Sequence, residues 1–222
     1  MTPLPDLPPS RPTYRHGDLH RALLEAGVSL AREGGPSAVT LREATRRAGV
    51  VPNAAYRHFA SHAELLHAVR TQALAAAAAA IEAQLNTLEP LANRSTKAQR
   101  SEHAHTRLRC VGLGYVQFAR AEPGLFRTAF SSPVPPTATA TATVQQGHRS
   151  GLGPFQLLRA AIDDLVIAGV LPIARRTDAE YVAWSAVHGL AILILDGPLH
   201  AMPAHELDRV TRHVLETVDR GL

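Results

Sequence analysis

The residues whose types and spacing suggest chemistry are concentrated between positions 40 and 59, which read Thr-Leu-Arg-Glu-Ala-Thr-Arg-Arg-Ala-Gly-Val-Val-Pro-Asn-Ala-Ala-Tyr-Arg-His-Phe. Thr40 is a helix-capping type, and Glu43 three residues later has the spacing of a capping box. Ala44 and Ala48 give that helix a small apolar face. Gly49 breaks it, and Val50 places a buried-type residue in a tight turn. Pro52 suits the first position of a second short helix, which carries Tyr56, Arg57 and His58. Two short helices joined by a Gly-containing turn describe a helix-turn-helix, a unit that lays its second helix in the DNA major groove. The expected chemistry is recognition of a nucleic acid.

A second group centres on Trp184 and His188, one helical turn apart. An aromatic wall with one polar group fits a small-molecule pocket; a core tryptophan beside a hydrogen-bonded core histidine fits the spacing equally well. Tyr115, Phe118, Phe126, Phe130, Phe155 and Leu158 would supply the rest of the wall. They include four of the five phenylalanines, more aromatic surface than simple helix packing needs. Gln117, His188 and the tyrosine hydroxyl would orient a ligand. His103, His105 and His148 raise the question of a metal, but their spacing matches no standard ligand pattern and acids are sparse nearby. They read as solvent-exposed. No Gly-rich phosphate loop is present, and Cys110 lies in a helical run without a neighbouring base. No cofactor, metal or catalytic residue is expected, and the chain does not read as an enzyme.

The elements that must position these residues are helices. Residues 1–14, five of them proline, read as a disordered arm. A first helix is expected over about 18–33, with Leu19, Ala22, Leu23, Ala26 and Leu30 at helical spacing and Gly34-Gly35 at its end. After the helix-turn-helix, Ser61 and Glu64 form a second capping box. It starts a long helix that passes through the alanine run at 75–80 and ends near 88. Residues 89–100 read as a loop. Helices then follow over about 102–121, a short one from Pro123, 155–168, 179–195 and 204–218. Residues 131–153, rich in Ser, Thr, Pro, Ala and Gly, read as a long mobile loop. The expected class is all-α: residues 15–62 form a helix-turn-helix domain, joined by a long helix to a C-terminal bundle over 63–222.

Composition agrees. The chain has 222 residues, 45% hydrophobic and 19% charged, the pattern of a globular protein with a sizeable core. Net charge is +4, and residues 1–70 hold nine arginines against six acids. The basic excess sits with the helix-turn-helix, where phosphate binding needs it. The single cysteine excludes an internal disulfide, so a reducing cytoplasm is the expected compartment. No signal sequence and no membrane span is read.

The first 70 residues resemble the DNA-binding domain of TetR-family transcriptional regulators. The matching residues are Gly34-Gly35, Thr40-Leu41-Arg42-Glu43-Ala44, Ala48-Gly49-Val50, Pro52, Tyr56-Arg57-His58-Phe59, and Ser61 through Glu64-Leu65-Leu66. The stretch from Tyr115 to Phe130, with Glu122-Pro123-Gly124-Leu125-Phe126, resembles a regulatory domain of part of this family. So does Trp184-Ser185-Ala186-Val187-His188-Gly189, its Trp-His-Gly element. The chain departs from the family at Val51, where a small hydroxyl residue is frequent, and at His62, where lysine is common.

The resemblance implies that residues 52–59 form the recognition helix. Pro52 would open it, and Asn53 and Ala54 would face base edges, Asn pairing with adenine and the Ala methyl meeting thymine. Tyr56, His58 and Arg42 would hold phosphates, with Thr40 and His62 at the flanking helix starts and Arg57 turned to DNA or to solvent. Arg46 and Arg47 read as a solvated face. Dimerisation through the last two long helices is implied, and it fits the stripes read on 179–195: Tyr181, Trp184, His188, Ala191 and Leu195 on one side, Val187, Leu190 and Ile194 on the other. One stripe would meet the core and the other a second subunit. The leading expectation is a homodimeric repressor that binds a pseudo-palindromic double-stranded DNA operator and is released by a small organic effector. The alternative is an effector-independent architectural or interaction protein with the same head.

Overall fold

Helix α1, His16–Gly34, runs past the point where periodicity alone would end it and stops at Gly35, whose φ of 70° is the left-handed region that glycine tolerates. The computed structural model describes residues 16–131 and 150–222. The arm at 1–14 and residues 132–149 of the expected loop lie outside them. A 3₁₀ turn at Pro36–Ala38 leads into α2, Leu41–Ala48, and then α3, Pro52–Ala55. Helix α4 spans His62–Leu85, α5 Lys97–Ala121 and α6 Pro123–Ala129. Helices α7, Pro154–Ile167, α8, Ala179–Leu195, and α9, Ala204–Gly221, complete the body, with a 3₁₀ turn at Ile173–Arg175 before α8. The described residues form no strand, so the all-α expectation holds.

The caps differ from the expected boxes in detail. Thr40 Oγ1 accepts from the Glu43 amide at 3.2 Å, but the Glu43 carboxylate turns to Arg46. Ser61 Oγ accepts from the Glu64 amide, and Glu64 reaches back to the Ala60 amide at 2.6 Å. A full capping box stands where a loop was expected. Thr96 Oγ1 accepts from the Gln99 amide and Gln99 Oε1 from the Thr96 amide, so α5 starts five residues earlier than periodicity suggested. The polar residues of that first turn carry no hydrophobic period, which hid it. The recognition helix is shorter than expected. Phe59 and His58 both donate to the Ala55 carbonyl at 2.9 Å, turning the chain after Ala55, and Val51 provides no side-chain cap.

The body is built around α5. At Gly114 a Cβ would stand 2.6 Å from Ile81 Cα, so the backbones of α4 and α5 touch. The alanine run ends at this contact, with Ala77 and Ala78 fully buried within it. Gly112, on another side of α5, leaves room for Leu215 of α9. Both stripes read on α8 largely face the chain's own core: Val187, Leu190, Ala191, Ile194 and Leu195 are buried, while Trp184 and His188 are half-buried. Tyr181 alone is exposed. The outward apolar face is a third one, with Val182, Ile192 and Leu193 exposed. The correction has a simple cause: α8 packs on α5, α7 and α9, and three neighbours cover more of its surface than one stripe.

Arg47 is half-buried and not simply solvated. It donates to Glu33 Oε1 at 2.6 Å and Ser29 Oγ at 2.8 Å, tying α2 to α1. His105 is not solvent-exposed either. Its Nδ1 lies 2.7 Å from Asp219 of α9, a buried carboxylate. His148 falls outside the described residues.

Two substitutions should move stability in opposite directions. Gly114→Ala places a methyl against the α4 backbone, which has no flexible side chain to yield, and should cost about 1–3 kcal/mol. Thr211 is buried in α9 with its hydroxyl unpartnered. Thr211→Val removes that unsatisfied group and should stabilise by about 1 kcal/mol. Urea unfolding of the three proteins under one buffer checks both signs.

Candidate functional site

The head presents an outward face around α3. Asn53, Arg57 and Arg42 are exposed, and Tyr56 is 56% exposed although aromatic. Ala55 and Phe59 are buried and pin α3 down, with the His20 ring stacked on Phe59 at 4.6 Å. Ala54 and His58 are half-buried, and His58 meets the edge of His20 at 6.4 Å. Thr40 is exposed and its hydroxyl caps α2. Pro52 opens α3. His62 Nε2 donates to the Val39 carbonyl at 2.6 Å, which commits that ring nitrogen to the head's own backbone.

Charge on this face is selective. Arg46 pairs with Glu43 and Arg47 with Glu33, and these hydrogen bonds hold both carboxyls below their ordinary range. Arg42 and Arg57 have no ion pair among the described residues. An uncompensated guanidinium on each helix of the pair suits two backbone phosphates.

The second site lies in the body. Trp184 Nε1 donates to the Tyr115 hydroxyl at 3.3 Å, and Tyr115 lies 2.8 Å from His188 Nδ1. With the tyrosine donating, Nδ1 is the acceptor and the His188 proton sits on Nε2. Burial pushes the Tyr115 phenol well above its usual range, against the opposing effect of the Trp184 hydrogen bond, and burial lowers His188. All three groups are neutral at pH 7. Phe126 stacks on His188 at 5.6 Å, packs 4.9 Å from Phe130, and contacts Tyr115 edge-on at 5.4 Å. Phe155 meets Trp184 edge-on at 5.7 Å, and Phe118 lies 6.4 Å from Phe126. The structure thus gathers the expected aromatics into one cluster, with Leu158 buried on α7. Gln117 is exposed and accepts from Gln84 of α4, so it stands apart from the rings.

Helix α6 joins the two sites. A Cβ at Gly124 would collide with the Ala31 carbonyl and stand 2.5 Å from that of Arg32, so the start of α6 sits directly on the end of α1. Arg32 pairs with Glu122 at 3.1 Å across the same joint. The buried Arg70 of α4 donates to the Ala129 carbonyl at the other end of α6. Phe126 and Phe130, on this same segment, lie in the aromatic cluster. Sequence reasoning missed Arg70 and the seat of Gly124; an arginine among the apolar residues of α4 was the available signal.

A helix-turn-helix head on an all-helical body is the build of a DNA-binding regulator. Residues 23–69 match the family of bacterial regulatory proteins, tetR family. Residues 108–218, half of the chain, match the tetracyclin repressor-like C-terminal domain. The chain belongs to the TetR family of transcriptional regulators. Among solved structures, a protein of unknown function from Rhodococcus sp. RHA1 is 26% identical, with a TM-score of 0.65, over 96% of this chain and 99% of that one. A TetR family transcriptional regulator, PfmR from Thermus thermophilus, shares the fold at 21% identity and a TM-score of 0.54, over 90% of this chain and 98% of that one. No curated protein matches the chain. Among the described residues no helix is long and apolar enough to cross a membrane, and no group of three or more His, Cys, Asp or Glu could hold a metal ion.

The half-buried His188 gives a pH dependence of known sign. Its folded value lies below the ordinary 6.5, so between the two values the unfolded chain binds the extra proton. Stability from this group is full above about pH 6.5 and is lost as pH falls through the folded value. The native protein should lose stability from pH 6.5 to 5, and His188→Gln should lose less. Equal losses, measured by urea unfolding at both pH values, would contradict a desolvated neutral ring.

Proposed function

We propose that this chain is a homodimeric repressor that binds a pseudo-palindromic operator and leaves it when a small organic effector enters the body. The observation that carries DNA recognition is the exposed set Arg42, Asn53, Tyr56 and Arg57 on a head whose Arg46 and Arg47 are consumed by acids. Arg42 and Tyr56 hold phosphates, joined by His58, with Thr40 and His62 at the flanking helix starts. Asn53 and Ala54, from the turn that Pro52 opens, read base edges.

Dimerisation is supported by α8. Val182, Ile192 and Leu193 are exposed, and a Cβ on Gly189 between them would meet nothing within 4 Å. That apolar face has no cover among the described residues, and the open position at Gly189 lets another helix come close. Two heads on a two-fold axis then meet half-sites about 34–36 Å apart.

Effector control is supported by the aromatic cluster. It offers rings from Tyr115, Phe118, Phe126, Phe130, Phe155 and Trp184, and after the internal hydrogen bonds it keeps one free donor, His188 Nε2. The fitting effector is an uncharged, mostly apolar molecule with a hydrogen-bond acceptor. An effector that moves Phe126 or Phe130 moves α6, and with it the seat on α1 and the tie to Arg70. To release DNA it must bind the DNA-free state more tightly, by about 5.5 kcal/mol for a shift from 1:99 to 99:1. The alternative, a regulator without effector, needs the cluster to act as core only. A screen of neutral aromatic ketones and esters separates the two: in the proposed case, quenching of Trp184, the only tryptophan, and loss of DNA binding occur at the same concentration.

Selection from random duplexes should enrich an inverted repeat. Arg42→Ala and Tyr56→Ala should weaken all sequences alike, whereas Asn53→Ala should alter preference at one base pair by about 1–3 kcal/mol. Recovery of no inverted repeat sinks the operator reading. Sedimentation at micromolar concentration should give twice 23.8 kDa, and the double variant Ile192→Glu, Leu193→Glu should sediment as a folded monomer.

A further inference from the structure

The opposite end of the body carries an open cleft of about 230 Å³ between the start of α5 and the end of α7, lined among others by Arg100, His103, Arg107, Asp164, Ile167 and Leu91. Arg100, His103 and Arg107 follow the i, i+3, i+7 spacing of one helix face. Asp164 is the only acid in the lining, and it is spent on Arg107, with Nε and Oδ2 2.8 Å apart. Arg100 donates to the Ser95 carbonyl, a contact that fixes the guanidinium without neutralising it. His103 has no hydrogen bond or ion pair among the described residues. Lys97, the chain's only lysine, stands at the same end, with its Cε 3.9 Å from where a Cβ on Gly169 would be. Positive charge therefore exceeds negative charge here. The remaining wall is apolar, and Ile167 is 81% exposed on it.

We propose that this cleft is a second binding site, for a small aliphatic carboxylate. The carboxylate lies between Arg100 and His103, where the planar guanidinium fork matches its two oxygens. The alkyl chain covers Ile167 and Leu91. The volume equals roughly eight waters of the liquid, which suits a carboxylate with a short chain. The site is separate from the aromatic cluster. From His103 to Tyr115 is roughly 18 Å along the axis of α5, and the cluster's polar groups are uncharged whereas this cleft is cationic.

The test needs neither DNA nor the dimer. The full chain is titrated with sodium hexanoate, with hexanamide at matched sodium chloride as the neutral probe, while the His103 ring signals are followed by NMR and Trp184 by fluorescence. The proposal expects a saturable shift at His103, no change at Trp184, and weaker binding of hexanamide. Arg100→Gln and His103→Gln, both outside the buried core, should each weaken hexanoate by about fivefold or more. Equal affinity in both variants, a response at Trp184 in place of His103, or no saturable response to hexanoate overturns it.

Discussion

At Gly114 the backbone of α5 lies against that of α4, with no side chain between them and Ile81 Cα 2.6 Å from the absent Cβ. This close approach sets the positions of the other body helices. Because α5 can sink into the alanine surface of α4, its other faces remain free to receive α6, α7, α8 and α9. Gly112 repeats the device toward α9, where Leu215 occupies the vacated space. Tyr115, next to Gly114 in the chain, is delivered to the centre of the body and meets Trp184 and His188 there. The polar chain of those three residues is thus a consequence of helix packing as much as a site: polar groups carried inward need partners, and the Trp184 indole N–H, the Tyr115 hydroxyl and His188 Nδ1 partner one another.

The joint between body and head is made in the same way. Gly124 has no side chain to hold α6 off the last carbonyls of α1, and Arg70 reaches from α4 to the far end of the same short helix. A seven-residue helix held at both ends by elements that also build the head, and bearing Phe126 and Phe130, has little freedom to move alone. The segment that carries those rings therefore touches both α1 and α4, the two helices that flank α2 and α3.

Charge on the head follows a division of labour among arginines of similar sequence context. Arg46 and Arg47 are absorbed by Glu43 and Glu33, while Arg42 and Arg57 are left to the outside. Sequence position does not distinguish these roles. Arg46 and Arg47 are adjacent residues, yet one closes a bond within α2 and the other bridges to α1, because the crossing of the two helices brings Glu33 and Ser29 under Arg47 only.

By itself the sequence determined the helix content, the head and the family, since caps, glycine stops and apolar periodicity act over a few residues and are written locally. Thr40, Gly49, Ser61 and the pattern over 179–195 each specify structure without reference to distant neighbours. It did not determine that α5 begins at Lys97, because the polar first turn has no apolar period, nor that α3 ends at Ala55. Nor did it say which face of α8 is left outward, since three of its sides carry apolar residues and only the packing of α5, α7 and α9 decides which are covered. The partners of His105, Arg47, Gln117 and Arg70 were equally hidden. Each lies on another element, and a contact between residues distant along the chain is decided by how the helices cross, which no local pattern records.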